Sequence, residues 1–373
     1  MSVSRRRTVG VEEEFLLVDE HGVPRPAAPR VTAGSHEGIE HELQQEQAET
    51  GSRPRRDLDE LASDLELRRQ GLSRLAAGHG VRVAGLATSP VMAEPTLYPE
   101  ERYRRMVSDY RTTAAEVLTC GCHVHVGIES EAEGIRAING IQPWLSVLLA
   151  LSANSPFWHG TDTGYASYRR QVQDRWPSSG PTGPFRDPDE YHSLVDTLIE
   201  TGVLLDLGMV YFDARLSARY PTVEIRVADV GAEPDSAVPL AALCRALVES
   251  AVDDGPWPAA RPELLRGAAW RASRYGLAGQ LMDPLTGQRV PAPVRVQQLV
   301  DRVRPALVRN GDLERVEHAL EQVLRHGTGA ERQRAVYARR GDLADVVLDA
   351  VERGHPEPYL VPNTSRTAGR ISL

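Results

Sequence analysis

Thr8-Val9-Gly10-Val11-Glu12-Glu13-Glu14-Phe15-Leu16-Leu17-Val18 sets three acidic residues inside an apolar, partly β-branched run. Such a run favours a strand. Strand side chains alternate between faces, so Glu12 and Glu14 share one face and Glu13 points to the other. Two carboxylates on one buried face repel each other unless a proton, an arginine or a hard divalent cation sits between them. A solvated edge strand would avoid the conflict, and the stretch alone leaves both readings open.

Two later stretches bear on that choice. In Cys120-Gly121-Cys122-His123-Val124-His125-Val126-Gly127-Ile128, apolar residues alternate with His123, His125 and Gly127. Both histidines therefore share a strand face, bracketed by glycines that leave room for close approach of a ligand or a backbone. In Tyr220-Pro221-Thr222-Val223-Glu224-Ile225-Arg226-Val227-Ala228-Asp229, Glu224 and Arg226 face away from Val223, Ile225 and Val227. That pair is a salt bridge or part of a site. A fourth polar stretch carries Glu42, Glu46 and Glu49, at i, i+4 and i+7. These fall on one face of a helix, whereas a strand reading requires a bulge or break between Glu42 and Glu49.

The chain has 373 residues and a formal net charge of −9. That length buries a substantial core, and the acidic balance argues against a dedicated nucleic-acid binder. Cys120, Cys122 and Cys244 are too few for a disulfide framework and suit a reducing compartment as small buried residues. The N-terminus lacks an apolar signal region, and the strongest apolar run, 144–153, is too short to span a bilayer. A soluble, cytoplasmic protein without membrane contact is expected; self-association into a homo-oligomer stays open. There is no lysine, and all 43 basic residues other than histidine are arginine. Chemistry that needs a P-loop lysine or a lysine Schiff base is excluded. Phosphate, if handled, must meet arginine, backbone N–H groups or metal ions.

Amphipathic periodicity predicts a helix over 57–78, capped by Asp57, and a second opened by Pro99 that buries Tyr103, Met106, Tyr110, Ala114 and Val117. Residues 81–86 and 209–215 read as strands. Residues 135–151 form an apolar helix interrupted by Pro143. Residues 157–187, rich in Gly, Pro, Arg and aromatics, read as a long ordered loop whose closure could exclude water. Helices are expected over 237–252, 263–275, 294–308, 312–324 and 342–353. The organisation is a single α+β catalytic domain over 1–354, mostly helical over 235–354, followed by a loosely held tail over 355–373.

If the three acid- and histidine-bearing strands adjoin in one sheet, their polar faces line one cavity. Carboxylates with an occasional imidazole suit Mg²⁺ or Mn²⁺ better than zinc. Several such ligands imply more than one ion, as needed to hold ATP phosphates during phosphoryl transfer. Arg226 would then meet the moving group with a permanently charged fork. His125, Arg215 and Arg271 are further candidates for binding substrate or phosphate.

Several stretches resemble, in order, those of the glutamate–cysteine ligase type 2 family, the carboxylate–amine ligases of the glutamine synthetase-like superfamily. They are Gly10-Val11-Glu12-Glu13-Glu14-Phe15, the segment from Glu42 to Glu49-Thr50, residues 120–127, Asn154-Ser155-Pro156 and residues 221–229. Residues 270–276 and Gly327-Thr328-Gly329-Ala330-Glu331-Arg332-Gln333-Arg334 complete the match. The resemblance implies a curved, mainly antiparallel sheet lining the active site, with helices behind. It implies a metal set of Glu12, Glu14, Glu42, Glu49, His123 and Glu224, with catalytic Arg226 on phosphate or a substrate carboxylate. It also implies ATP and Mg²⁺ or Mn²⁺, with a small-molecule carboxylate and amine as partners, by default glutamate and cysteine. Family members differ in their amine acceptor, and where many have Thr-His-Pro this chain has Thr88-Ser89-Pro90. A metal-dependent hydrolase and a non-catalytic nucleotide or metal sensor are the competing classes. Nucleotide-dependent product formation separates the ligase from the hydrolase.

Overall fold

The computed structural model describes residues 6–33, 38–255 and 257–354. The tail expected over 355–373 lies outside these residues. The opening stretch forms β1 (Val9–Val18). It is followed by α1 (Ala28–Thr32), β2 (Ile39–His41), β3 (Gln47–Gly51), α2 (Leu58–Gly78) and β4 (Arg82–Ala84). Next come α3 (Glu101–Tyr110), α4 (Thr112–Glu116), β5 (Gly121–Gly127), α5 (Glu131–Ser152), β6 (Phe157–Trp158), β7 (Thr161–Asp162), α6 (Tyr168–Gln173) and α7 (Pro188–Glu200). The strands β8 (Ala214–Leu216) and β9 (Thr222–Asp229) precede a helical stretch. That stretch holds α8 (Ala237–Asp253), α9 (Pro262–Tyr275), a small hairpin of β10 (Gln280–Met282) and β11 (Arg289–Pro291), α10 (Ala292–Asn310), α11 (Leu313–His326), α12 (Gly329–Arg340) and α13 (Leu343–Gly354).

Seven strands make one sheet in the order β2-β3-β1-β5-β9-β8, with β4 also pairing β1, and every pairing is antiparallel. The fold is therefore α+β, as expected. Its apolar face carries Val9 and Val11 of β1, Cys122, Val124 and Val126 of β5, and Val223 and Ile225 of β9. These residues pack against α5 and α8, and α10 covers α8. Helices α5 and α8 thus seal the back of the sheet, with α10 behind α8, and leave the other face free to form a cavity. Among the described residues no helix is long and apolar enough to cross a membrane. All three cysteines are buried and free.

Helix α2 begins where the sequence places it. The Asp57 carboxylate accepts from the backbone N–H groups of Asp59 and Glu60, and Leu58, Leu61, Leu65 and Leu72 are buried. Its fully buried Arg69 meets Glu13 on the back of β1 through two hydrogen bonds, at 3.0 and 2.6 Å. The remaining N–H groups of Arg69 reach the carbonyls of Ala232 and Gly231. The outward acid of the triplet is thus neutralised in the core.

Of the two readings open for the segment with Glu42, Glu46 and Glu49, the structure takes the broken strand: Glu42 and Glu46 fall between β2 and β3, which pair as a hairpin, and Glu49 lies on β3. Three expectations are corrected. Helix α5 runs through Pro143 without interruption. Of the 209–215 run only Ala214 and Arg215 are strand, continuing to Leu216, and residue 209 belongs to a 3₁₀ turn over Leu207–Met209. The 157–187 segment is no free loop: it holds the β6–β7 hairpin and α6, and it buries Phe157, Ala166, Arg169, Arg170, Val172 and Trp176. A segment anchored by that many buried side chains is an ordered part of the molecule, and its Gln173 and Trp176 line the cavity on the free face of the sheet.

Removing one partner of a buried ion pair leaves the other charged and unpaired, at a cost of about 3–5 kcal/mol. Glu13→Gln is expected to lower unfolding stability in urea by that order. The Glu13→Gln, Arg69→Met double variant should cost less than the sum of the two single changes.

Candidate functional site

Strand register assembles the site. On β1, Glu12 lies opposite Gly51 of β3 and His123 of β5, while Glu14 lies opposite Glu49. On β5, His125 lies opposite Glu224 of β9, which in turn lies opposite Arg215 of β8. Period-two alternation sends all of these side chains to the uncovered face. They line a cavity of about 1200 Å³, together with Glu42, Arg226 and His41. This exceeds the usual span of small-ligand pockets and leaves room for a nucleotide beside a second substrate.

Between Cys122 and Val124, β5 offers one residue where β9 offers two, so a bulge falls at Arg226 and Val227. Beyond the bulge, Asp229 pairs with Gly121. Its carboxylate accepts from the Asn154 N–H at 2.8 Å and from the hydroxyls of Ser155 and Ser167 at 2.7 and 2.9 Å. Gly121 is required for a steric reason: a Cβ there would sit 2.3 Å from the Arg169 guanidinium and 2.9 Å from His123 Nε2. A Cβ at Gly127 would meet the Thr8 hydroxyl at 2.5 Å. The space beside both glycines is thus filled by side chains of the protein itself.

The charges divide into two groups. Glu224 is clamped by Arg215 through bonds of 2.8 and 3.0 Å, and Arg226 donates to the same carboxylate. Burial opposes ionisation of Glu224, but the two arginines outweigh it and hold the carboxyl well below the usual carboxylate range. Burial also opposes ionisation of Glu12. Hydrogen bonding to His123 and His125 wins there too, and keeps Glu12 charged. Across the cavity the balance reverses. Burial, reinforced by Glu42 and Glu12, pushes Glu49 well up; burial and Glu14 raise Glu42; burial raises Glu14 against the pull of Arg169. Each of these carboxyls is thereby biased toward its protonated form, and a cation among them would oppose that bias.

Two sets of donors converge closely. Ligand atoms of Glu12, Glu49 and His123 lie within 4.8 Å of one another, as do those of Glu12, His125 and Glu224. Glu12 belongs to both. Burial and then the Arg226 charge push His123 down to about 4, leaving a neutral imidazole with a lone pair to give. The buried Nε2 of His123 has no hydrogen-bond partner, with Glu14 3.7 Å away, and Nε2 of His125 faces Glu12 at 3.2 Å. Hard carboxylate oxygens crowded together with two imidazoles, their pKa values raised by burial and by one another, fit divalent cations of the Mg²⁺ or Mn²⁺ kind.

Of the residues singled out from the sequence, Glu12, Glu14, Glu42, Glu49, His123, His125, Arg215, Glu224 and Arg226 are brought together. Arg271 is not. It lies on α9, outside the cavity lining, with its Nε on the Gln280 carbonyl at 2.6 Å and its guanidinium stacked on Tyr275. Glu46 turns away to accept from the Thr96 N–H. Ser89, in place of the family's histidine, is buried and bonds the Val91 carbonyl.

Thr222 and Tyr220 were not singled out, yet Thr222 Oγ1 lies 3.0 Å from His125 Nδ1 and Tyr220 meets the same ring edge-on. Both continue the alternation of Glu224 and Arg226 backwards along the chain, and that signal was available. Arg102, held by Asp206, and Tyr211, beneath Arg226, also line the cavity without a periodic signal.

Because Glu12 belongs to both donor sets, Glu12→Gln should weaken Mn²⁺ binding at least tenfold, as read by titration calorimetry or electron paramagnetic resonance. Glu46→Gln, which alters an acid of the same stretch that faces away, should leave Mn²⁺ affinity unchanged.

Comparison with known proteins places this geometry. The model of the family described as "Glutamate-cysteine ligase family 2 (GCS2)" matches residues 8–349. A protein of Frankia alni provisionally named glutamate–cysteine ligase 2-2 is 48% identical over 371 residues, covering 93% of this chain and 97% of that protein. One of Streptomyces avermitilis provisionally named glutamate–cysteine ligase 2-1 is 47% identical over 360 residues, covering 93% and 99%. The crystal structure of a glutamate–cysteine ligase from Francisella tularensis in complex with AMP shares the fold. Its TM-score is 0.71 at 12% identity, covering 96% of this chain and 91% of that one. The chain belongs to glutamate–cysteine ligase family 2, whose members are ATP-dependent carbon–nitrogen ligases.

Proposed function

We propose that this chain, acting as one catalytic unit over residues 1–354, joins a small-molecule carboxylate to an amine through an acyl-phosphate intermediate. Glutamate and cysteine, the pair in the relatives' names, are the default substrates. The observation that carries the reading is the pair of donor sets that share Glu12 on one sheet face, with Arg226 beside them. Glu12, Glu14, Glu42, Glu49, His123 and Glu224 would hold Mg²⁺ or Mn²⁺, with His125 as a further donor. Such ions, when bound, neutralise the phosphate charge of ATP and of the moving phosphoryl group.

The residues of the chain supply the rest. A carboxylate is a poor acyl donor, since its charge repels nucleophiles and oxide is not a leaving group. Attack of a substrate carboxylate oxygen on the γ-phosphorus of ATP breaks the bond to the β-bridging oxygen and releases ADP. The acyl phosphate that forms has phosphate as its leaving group. The amine then attacks the acyl carbon, phosphate departs, and the amine proton is lost to solvent. Arg226 is held with one edge on Glu224 and its face over Tyr211, aimed at the cavity. From there it can pair with the substrate carboxylate or the transferring group through a planar fork. No side chain becomes covalently attached, in keeping with a lining of acids, imidazoles and arginines.

A screen of amino acids in pairs for ADP release with ATP and Mg²⁺ identifies the substrates. With the active pair, ¹⁸O placed in the substrate carboxylate should appear in inorganic phosphate. AMP and pyrophosphate as products would mean adenylation and would overturn the proposed route.

Arg226→Lys keeps the charge but loses the fork. A loss of about 100-fold or more in kcat/KM is expected, the order seen when one transition-state donor is removed. Activity within a few-fold of the parent would assign Arg226 to a purely structural salt bridge with Glu224.

A further inference from the structure

The turn between β8 and β9 brings two side chains against one ring of the site. Ser217 donates its backbone N–H to the Thr222 carbonyl at 3.0 Å, and the Thr222 N–H returns to the Tyr220 carbonyl at 2.7 Å. Strand β9 therefore starts with Thr222 fixed opposite Gly127, two residues beyond His125 on β5. From there Thr222 Oγ1 lies 3.0 Å from His125 Nδ1, and the Tyr220 ring meets the imidazole edge-on with centroids 6.1 Å apart.

The other nitrogen of that ring, Nε2, is buried and faces the Glu12 carboxylate at 3.2 Å. With Nδ1 taken up by the hydroxyl, Nε2 is the atom the ring can give to a cation shared with Glu12. The Nδ1 of His123, by contrast, faces groups of the site itself, Arg226 at 3.5 Å and Glu12 at 3.6 Å. His125 instead has a neutral partner outside the charged cluster. A hydroxyl both donates and accepts. It can donate to Nδ1 while the ring proton sits on Nε2 and faces Glu12. It can equally accept from Nδ1–H when Nε2 turns its lone pair to a cation.

We propose that Thr222 is a positioning residue of the metal site: its hydroxyl holds His125 by Nδ1, so that Nε2 is presented with Glu12 to the divalent cation. The inference rests on the metal reading of the site and adds to it the group that orients one ligand. A partner on the far nitrogen fixes both the direction of the ring and the place of its proton. Loss of such a partner costs about 10–100-fold in metal affinity. The role belongs to the hydroxyl and not to the shape of the side chain. A residue of the same shape without the hydroxyl should therefore fail, and a smaller one that keeps it should serve.

Titration of the whole protein with Mn²⁺, read by electron paramagnetic resonance without nucleotide or substrate, tests this. Thr222→Val should weaken Mn²⁺ binding about tenfold, and Thr222→Ser should stay within about threefold of the parent. A Thr222→Ser loss as large as that of Thr222→Val would overturn the role of the hydroxyl. So would unchanged affinity in Thr222→Val where Glu12→Gln loses it, and the metal site would then stand without Thr222. Unchanged affinity in Glu12→Gln as well would remove the metal site and the proposal with it. A second measurement needs no variant to fold: ¹⁵N-histidine magnetic resonance of the parent saturated with Mg²⁺. The His125 proton is expected on Nδ1, and an Nδ1 without a proton in the Mg²⁺-loaded protein would overturn the proposal. None of these readouts depends on ligase activity.

Discussion

The antiparallel register that sets Glu12 of β1 opposite His123 of β5 is the constraint on which the site depends. A slip of one residue would exchange the faces of every β1 side chain. Glu12 and Glu14 would enter the core, and Glu13 would stand alone in the cavity. Two features oppose that slip. Val9, Val11, Cys122, Val124 and Val126 form a continuous apolar surface against α5 and α8. Glu13 is tied to Arg69 of α2 in the core. The buried ion pair is thus a device of specificity as much as of stability: it gives the middle acid of the triplet one place to go.

A chain without lysine has to balance buried acids with guanidinium groups, whose donors form a rigid fork. That suits the architecture. A compact ammonium would make one contact to Glu224, whereas Arg215 holds both oxygens and Arg226 shares one of them. The same geometry carries a demand, since every guanidinium has five N–H groups to satisfy. Arg69 uses all three of its nitrogens, on Glu13 and two backbone carbonyls. Arg55, Arg169, Arg170, Arg245 and Arg295 each keep one buried nitrogen without such a partner.

Legibility in the sequence followed the physics of each element. Glu12 and Glu14, His123 and His125, and Glu224 and Arg226 were readable because a strand has a single period, and the same period carried back would have reached Thr222 and Tyr220. Glu42 and Glu49 were readable as acids but not as a hairpin, because a seven-residue spacing satisfies a helical face as well as a turn between short strands. Arg169 was hidden because its segment has no period and its position depends on the absence of a side chain at Gly121. Arg271 misled because a motif on an exposed helix can be maintained by local packing, here against Tyr275 and the Gln280 carbonyl. Helix α12 is polar and lacks a stripe. Its start is nonetheless written in Thr328 and Glu331, which form a capping box.

The division of charge across the sheet gives the proposed reaction a direction. Glu42, Glu49 and Glu14 lie on the β2, β3 and β1 side, where burial and neighbouring carboxylates raise their pKa values and a cation would relieve the conflict. Arg215 and Arg226 lie on the β8 and β9 side, already partnered by Glu224 and fixed before any ligand arrives. Glu12 and the two histidines stand between. A triphosphate drawn to cations on the first side would present its terminal phosphorus toward the second, where a carboxylate can be held by arginine. Reactants of like charge are then brought together by opposite means, one through metal and the other through guanidinium. The bulge in β9 is what makes this division fit one face, because it lets Arg226 line the cavity while Asp229, three residues later, turns to the same side and anchors Asn154, Ser155 and Ser167 beneath it. Without that extra residue, Asp229 would point into the apolar back of the sheet, and the segment carrying Arg169 would lose its anchor.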